Sequence, residues 1–168
     1  MSRLESAIRR LEAQRDCIDF AASALVDVPG CILELGLGNG RTYDHLKTRF
    51  PGRPVYVFER ELRAHPDSTP DDDHLFLGDF FATLPQALAR LGATAALAHC
   101  DFGSGKAERD SAVAARLAGA VAPLLRPGAL VLSDQPLAHP AWQPERLPAG
   151  VGEGRYYIFR VPISHVRG

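Results

Sequence analysis

The sequence has no long hydrophobic run, no excess of charge of either sign and few cysteines. No window approaches the roughly 18 uninterrupted apolar residues that a membrane-spanning helix requires, and the mixed charge of the first residues predicts no secretory signal. Its 19 basic and 20 acidic residues give a formal net charge of −1, which argues against nucleic acid or a membrane surface as a partner. Three separated cysteines cannot form a complete disulfide framework, so we expect reduced thiols and a cytoplasmic protein.

What is present is an alternation of short apolar runs with helical patterns. Strand candidates are Cys31–Leu35, Val55–Phe58, Leu75–Leu77, Ala93–His99, Ala129–Ser133 and Tyr156–Val161. Helix candidates are residues 1–26, Arg41–Phe50, Ala82–Leu91 and Lys106–Leu125. The acidic, proline-bearing segment 65–73 is predicted to be a loop, and Arg126-Pro127-Gly128 a turn. This alternation predicts an α/β fold with a doubly wound, mostly parallel sheet.

The first helix carries a stripe of mostly apolar positions that has to pack against something. Its members step by four and three and are Leu4, Ile8, Leu11, Arg15, Ile18, Ala22 and Leu25. The stripe fits a helix lying on its own domain, and as an alternative it fits a seam between copies of the chain. A homo-oligomer, a dimer at the least, is therefore one prediction from this segment.

Polar clusters follow the ends of five predicted strands. They are Glu34–Gly40, Glu59, Gly78-Asp79, His99–Gly105 and Ser133–Gln135. Right-handed crossovers bring the carboxyl ends of parallel strands to one rim of the sheet, which is where α/β proteins bind ligands. The pattern predicts one ligand site along this rim.

The turn after the first strand, in "LELGLGNG", decides between three ligand classes. A dinucleotide site requires G-x-G-x-x-G, but the glycines here are 36, 38 and 40, so the third comes one position early. A phosphate loop requires a lysine that the turn lacks, and in "GSGKA" Ala107 stands where the magnesium-binding hydroxyl belongs. A glycine turn preceded by the carboxylate of Glu34 suits a cationic ligand without phosphates, such as S-adenosylmethionine.

The segment "ELGLGNG" resembles the first motif of the class I (Rossmann-like) S-adenosylmethionine-dependent methyltransferases, and the resemblance extends over most of residues 17–135. The segments "VYVFER", "GDF", "HCDFG" and "LLRPGALVLSDQ" match later motifs in order. The resemblance implies a single methyltransferase domain, 1–168, with an N-terminal helical segment 1–28, a cofactor-binding core 29–135 and a shortened C-terminal part, 136–168, made of an irregular segment and the last strand.

The resemblance also implies residue roles. Glu34 would meet the methionine ammonium directly or through water, Glu59 the two ribose hydroxyls, and Asp79 the adenine amino group. Arg15 would meet the methionine carboxylate, unless it is simply exposed on its helix. The implied cofactor-binding residues are Arg15, Glu34, Gly36, Gly38, Asn39, Gly40, Arg41, Thr42, Glu59, Arg60, Gly78, Asp79, Phe80 and Cys100.

Three residues near the expected methyl group are candidates for catalysis. His99, Asp101 and Asp134 could help to remove a proton from an alcohol, phenol, amine or thiol acceptor. Each has a structural alternative: a packed histidine, a helix cap and a turn residue, respectively. Asp134 and Gln135 also resemble the Asp-Asn pair with which catechol-type O-methyltransferases help bind Mg²⁺, but His99 departs from that pattern, so Mg²⁺ is possible and not favoured.

The function expected from these residues is transfer of a methyl group from S-adenosylmethionine to a small-molecule acceptor. The alternatives are a non-catalytic S-adenosylmethionine-binding protein, motivated by the short C-terminal part, and a nicotinamide-nucleotide oxidoreductase, which the early third glycine disfavours. The acceptor itself is not indicated, because the region that often builds its pocket is the one that departs from the family pattern.

Overall fold

The structure is a computed structural model that describes residues 1–163. Its helices are α1 (Arg3–Ala24), α2 (Arg41–Arg49), α3 (Phe80–Leu91) and α4 (Ala107–Val121). Its strands are β1 (Cys31–Leu35), β2 (Val55–Glu59), β3 (Leu75–Leu77), β4 (Ala95–Cys100), β5 (Leu125–Ser133), β6 (Gln143–Pro144) and β7 (Tyr157–Arg160). The last five residues of the predicted segment 136–168 lie outside the described residues.

One seven-stranded sheet runs through the described chain in the order β3-β2-β1-β4-β5-β7-β6. The first five strands of this order are parallel, and β7 joins β5 and β6 in antiparallel pairing. The strand order reverses between β1 and β4, and ligands bind at such a switch point, beyond the carboxyl ends of the strands. The predicted doubly wound α/β fold is confirmed.

Helices cover both faces of the sheet, so the central strands are apolar on both sides. One cluster of buried side chains joins α3 and α4 to the sheet through residues such as Leu84 and Leu117. The other joins α1 and α2 through Ile18 and Leu46. Every residue of β1 and of β4 is buried, as expected for strands with a helix layer on each face.

The two halves of α1 have different surroundings. From Ala13 onward, one side of the helix is buried against the sheet and α2 through residues that include Cys17, Ile18 and Ala21. The first three turns are exposed, and Leu4 and Ile8 keep 70% and 46% of their surface. A capping box between Ser2 and Glu5 closes the helix start. The predicted stripe therefore splits into a half that packs on its own domain and a half left uncovered.

Three details of the fold differ from the sequence-based prediction. Arg126-Pro127-Gly128 is not a turn between elements: it lies inside β5, where residues 126–129 bulge beside a shift in the pairing with β4. The two-residue strand β6 was not predicted, because Gln143-Pro144 carries no strand pattern. The acidic loop contains two short 3-10 turns, Pro66–Ser68 and Asp72–His74.

Candidate functional site

The glycine turn leads directly from β1 into α2. The amide of Gly36 donates to the carbonyl oxygen of Phe58 at 2.9 Å, which holds the turn beside β2. Gly36 has φ +93°, and a Cβ there would lie 2.0 Å from the carbonyl oxygen of Asp101. Gly40 has φ +87°, and its Cβ would lie 2.5 Å from the Ser68 side chain. Both positions require glycine because protein atoms already fill the space.

The carboxylate of Glu59 closes the turn from the end of β2. Its Oε2 accepts hydrogen bonds from the amides of Leu37 and Gly38 at 2.8 and 3.0 Å, and its Oε1 accepts one from the amide of Arg60 at 2.7 Å. A carboxylate has about four lone-pair sites, so Glu59 retains acceptor capacity beyond these bonds. The side chain both fixes the turn and lies on the wall of a cavity.

More of the predicted site residues line this cavity than line any other. We call it the glycine-loop cavity, and its volume is about 450 Å³. Its walls combine carboxylates, arginines and the apolar side chains of Phe80, Phe81, Phe102 and Val113. Predicted residues on its wall are Gly36, Gly38, Glu59, Arg60, Gly78, Asp79, Phe80 and Asp101. Gly38 has φ +54°, and a Cβ there would meet no protein atom within 4 Å. Unlike Gly36 and Gly40, Gly38 therefore leaves open space that belongs to the cavity.

The far end of the glycine-loop cavity is built at the start of α3. Asp79 caps this helix, since its Oδ1 accepts from the amide of Phe81 at 2.9 Å. Its Oδ2 accepts from the guanidinium of Arg60, another residue of the cavity wall, at 3.2 Å. Arg116 stacks on Phe81 with its guanidinium carbon 3.9 Å from the ring centre. Asp79 thus has a structural role in addition to its place on the cavity wall.

Beneath the turn, three fully buried polar side chains form a chain of hydrogen bonds. Nδ1 of His99 lies 2.7 Å from Oε1 of Glu34, and its Nε2 is bonded to the hydroxyl of Tyr156. Burial alone would lower the pKa of His99, but the charge of Glu34 and the hydrogen bond to it raise that pKa above its ordinary value. The imidazolium form can donate from both nitrogens. Among the described residues, Oε2 of Glu34 has no hydrogen-bond partner.

The structure places five of the predicted residues away from the cavity walls, and one of them is Gly40, whose surrounding space protein atoms fill. His99 has no exposed surface and both its nitrogens are bonded, an arrangement that favours the packed histidine over the catalytic base. Glu34 is equally buried, which leaves only its Oε2 for a water-mediated contact. Cys100 is buried in the sheet. Arg15 is exposed and pairs with Asp16 at 2.8 Å.

Two smaller cavities lie near the glycine-loop cavity. The α1 cavity, about 220 Å³, is lined by Arg10, Leu11, Gln14, Gly36, Leu37, Gly38, Asn39, Arg41, Thr42, Asp101 and Gly103. The β5 cavity, about 380 Å³, is lined by Arg10, Asp134, Gln135, Glu153, Gly154 and Arg155. The α1 cavity shares Gly36, Gly38, Asp101 and Gly103 with the glycine-loop cavity, and it shares Arg10 with the β5 cavity.

Several wall residues carry no signal that sequence reasoning could read. Gln14 is buried and its side-chain amide donates to Oδ2 of Asp101 at 2.6 Å, a contact between residues 87 positions apart. Arg10 and Arg155 come from opposite ends of the described chain. Asp110 accepts from both the amide and the hydroxyl of Ser104 and so fixes the loop after β4. For Gln14, the one signal in the sequence is its position next to Arg15, the residue predicted to contact the methionine carboxylate.

The carboxylates of Asp101 and Asp134 are close enough to interact electrostatically, and that of Asp134 lies against Gly103. The carboxylate of Asp134 accepts hydrogen bonds from the amides of Phe102 and Gly103 at 3.3 and 2.9 Å. A Cβ at Gly103 would lie 2.3 Å from Oδ2 of Asp134, so a larger residue there would displace that carboxylate. Burial, with a contribution from the negative charge of Asp101, raises the pKa of Asp134 to about 6, although the two amides act in the opposite direction.

The raised pKa of Asp134 predicts a pH dependence of stability. Between pH 4 and 6 the folded protein retains a proton on Asp134 that the unfolded chain has lost, so the contribution of Asp134 to the free energy of unfolding falls as pH rises through this window. Urea unfolding at several pH values measures it, and Asp134→Asn is the control, because the variant lacks the titrating group. A contribution that rises with pH, or one that persists in Asp134→Asn, would contradict the assignment.

No metal site is evident among residues 1–163: no three histidine, cysteine, aspartate or glutamate side chains are grouped as metal ligands would be. The Asp134 carboxylate is bonded to two backbone amides, and Asp101 to Gln14.

Comparison with known proteins identifies the family. A family model described as S-adenosyl-L-methionine methyltransferase matches residues 1–161. The chain belongs to this family. This methyltransferase is 41% identical to an S-adenosyl-L-methionine methyl transferase from Silicibacter pomeroyi, whose crystal structure superimposes with a TM-score of 0.91 and covers 96% of this chain and 99% of that one. None of the curated proteins compared matches it significantly.

More distant structures share the fold of the methyltransferase. They include cofactor-bound Rv0187 from MTB, with 16% identity, a TM-score of 0.56 and coverage of 98% of this chain and 82% of that one. Human methyltransferase-like protein 13, in complex with SAH, has 12% identity, a TM-score of 0.57 and coverage of 93% and 83%. Membership of the family decides between the three ligand classes: the co-substrate is S-adenosylmethionine, and the protein is an S-adenosylmethionine-dependent methyltransferase.

The glycine-loop cavity of the methyltransferase fits this co-substrate. Gly38 supplies the open backbone surface that a closely bound ligand needs, since no protein atom would meet a Cβ there. Carboxylates on the wall suit a sulfonium cation, and the aromatic rings of Phe80, Phe81 and Phe102 suit an adenine. The phosphate-binding lysine that a nucleotide triphosphate needs is absent from the turn.

Proposed function

We propose that this methyltransferase acts on a small molecule, which binds in the α1 and β5 cavities beside the glycine turn. The observation that carries the proposal is the combined size of these two spaces, about 220 and 380 Å³, which share Arg10 on their walls. Together they lie in the range of cavities that bury small ligands, roughly 300–1,000 Å³. Helix α1 contributes to the walls of both, and the segment before β7 adds Glu153, Gly154 and Arg155 to the β5 cavity alone.

The proposal assigns the donor to the glycine-loop cavity. Glu59 would accept from the ribose hydroxyls with its remaining lone pairs, and Phe80 would cover the adenine. Asp79 would accept from the adenine amino group, and Gly36, Gly38, Asn39, Arg41 and Thr42 would line the methionine end. S-adenosylmethionine supplies an electrophilic methyl group on a sulfonium, which is a good leaving group, so the chief task of the protein is to hold the acceptor in line with it.

The acceptor provides the electron pair for the new bond to the methyl carbon. The carbon–sulfur bond breaks as that bond forms, its electrons remain on sulfur, and S-adenosylhomocysteine is the second product. A hydroxyl, thiol or ammonium acceptor must also lose a proton. We assign that proton to Asp134 rather than to the buried His99, because Asp134 lines the β5 cavity and its pKa, raised to about 6, suits proton transfer near neutral pH. Asp101 lines the passage between donor and acceptor.

A screen for product tests the proposed function. The protein is incubated with methyl-labelled S-adenosylmethionine and a panel of small amines, phenols, carboxylic acids and thiols, and S-adenosylhomocysteine release is measured with and without a chelator. We expect label on at least one small molecule. Parallel reactions offer total RNA and mixed proteins as acceptors, and label confined to either of these would overturn the small-molecule proposal. Loss of turnover in the chelator would reveal a metal requirement.

Glu59→Ala should weaken S-adenosylhomocysteine binding by at least tenfold. The substitution removes the ribose acceptor and also the three backbone hydrogen bonds that hold the turn. Calorimetric titration measures the affinity. Glu61→Ala is the matched control: Glu61 also lines the glycine-loop cavity, but its carboxylate pairs with exposed Arg63. Equal losses of affinity in both variants would show that the effect comes from the overall negative charge of the cavity and not from contacts specific to Glu59.

The same proposal includes a homo-oligomer formed through α1 and a cytoplasmic location. Support for the oligomer comes from the uncovered turns of α1, where Leu4, Ile8 and Leu11 are exposed on the stripe that continues into the packed half of the helix. None of the described helices is long and apolar enough to cross a membrane.

A further inference from the structure

The β5 cavity contains two guanidinium groups that the protein itself does not neutralise. Within residues 1–163, neither Arg10 nor Arg155 has a carboxylate within ion-pair distance or a side-chain hydrogen bond. By contrast, Arg15, Arg49, Arg60, Arg63 and Arg160 each pair with an acid. A third cation without such a partner, Arg41, stands on the wall of the adjoining α1 cavity.

The carboxylates on the same walls are largely committed elsewhere. Both oxygens of Asp134 accept hydrogen bonds from backbone amides. Oδ2 of Asp101 accepts from Gln14. Only Glu153, which is exposed, adds an uncommitted negative charge to the β5 cavity. The arginines are therefore the groups that remain for a ligand.

The lining residues of the three cavities differ in a way that would give a bound acceptor two different ends. Arg10 belongs to both the α1 and the β5 cavities, whereas Asp101 belongs to the α1 and glycine-loop cavities. A molecule that extends from Arg155 past Arg10 to Asp101 would have a polar anchor at the outer end and its nucleophile at the donor end, beside Gly103, whose amide donates to Asp134. Leu11 and Leu37 line the space between and suit an apolar connecting part.

We propose that the methyl acceptor is a small organic anion, a carboxylate or a phosphate monoester, held at its charged end by Arg10 and Arg155. The planar fork of a guanidinium matches either group with paired, charge-assisted hydrogen bonds. This inference rests on the proposed function, because it describes the acceptor of the same reaction.

Matched ligand pairs test the charge requirement. Benzoate is compared with benzamide, 3-phenylpropanoate with its amide, and phenyl phosphate with phenol, by ligand-observed NMR titration in saturating S-adenosylhomocysteine. At least one anion should bind about tenfold more tightly than its neutral counterpart. The preference for carboxylate or phosphate in the same titrations distinguishes the two anion classes. If no anion exceeds its neutral partner, including the case in which none binds, the proposal is overturned.

Substitutions of the two arginines test whether the anion binds in the β5 cavity. Arg10→Gln and Arg155→Gln should each lower the affinity for the preferred anion at least fivefold, and Glu153→Gln should leave it unchanged or raise it. Arg9→Gln is the control, because Arg9 is an exposed arginine on the same helix that lines none of these cavities. Equal losses in Arg9→Gln and Arg10→Gln would indicate a diffuse surface potential and overturn the site.

S-adenosylhomocysteine affinity, measured calorimetrically on each variant beforehand, keeps the two proposals separable. Absence of binding by the wild-type protein would count against the proposed function. Normal binding of S-adenosylhomocysteine combined with no anion preference would remove the inference about the acceptor alone.

Discussion

Replacing Gly38 with alanine is expected to raise the dissociation constant of S-adenosylmethionine by at least tenfold while the protein stays folded. The three glycines of the turn differ in what surrounds them. A Cβ at Gly36 or Gly40 would collide with protein atoms at 2.0 or 2.5 Å, whereas a Cβ at Gly38 would enter open space shared by the glycine-loop and α1 cavities. In Gly38→Ala, the new methyl group takes ligand space and displaces no protein atom.

The control for this prediction is Gly52→Ala. Gly52 also has a positive φ, +78°, and open space around it, but it lies at the opposite edge of the sheet, near Gly30 and Pro54. Placing alanine in the left-handed region costs about 1–2 kcal/mol at either position, so the two variants should lose similar stability. Calorimetry then measures the difference in affinity that the cavity alone causes.

Unchanged affinity in Gly38→Ala would mean that the ligand does not approach this backbone. An affinity loss of the same size in Gly52→Ala would assign the effect to destabilisation of the fold. Either result would remove the glycine turn from the donor site that we propose.

His99→Leu is expected to lower the free energy of unfolding by about 3–5 kcal/mol, the cost of leaving a buried charge without its partner. Glu34 is fully buried, and His99 supplies the partner of its Oε1. The substitution also leaves the buried hydroxyl of Tyr156 without that bond. Urea denaturation of the variant at neutral pH measures the loss.

The triple variant Glu34→Leu, His99→Leu, Tyr156→Phe should be more stable than His99→Leu alone. It removes the complete chain of polar groups and leaves apolar side chains among Ile32, Leu97 and Leu130, which belong to the same buried cluster. Replacing all members of a buried polar group avoids the unpaired charge that a single substitution creates. Additive losses in the triple variant would contradict a coupled network.

Activity measurements on variants of His99 distinguish a structural role of this residue from a role in proton transfer. If His99 only supports the rim, a variant that remains folded should keep its affinity for S-adenosylhomocysteine, and its activity should follow the folded fraction. A folded His99→Asn variant with no turnover and full affinity would instead restore His99 to the proton transfer from which its burial removes it.

Much of the fold was predictable because it depends on short-range patterns. The bounds of β1 and β3 agree with the apolar runs Cys31–Leu35 and Leu75–Leu77, and the helices agree to within a few residues. The prediction of a turn at residues 126–128 was wrong because Pro-Gly also occurs in bulges, and only the partner strand shows which of the two has formed. The strand β6 depends entirely on pairing with β7.

The sequence by itself determined the donor class, because the glycine spacing, the preceding acid and the acids at later strand ends are local and ordered along the chain. Only the tertiary structure decided which of these groups reach the site. His99 meets Glu34 across 65 residues and Tyr156 across 57. These contacts hold inside the core a histidine near the carboxyl end of β4, a position that had suggested a catalytic base. The same long-range packing brings Arg10 and Arg155 to one cavity. Residue type and local spacing indicate chemistry, but burial and partnership depend on contacts that close only when distant segments fold together.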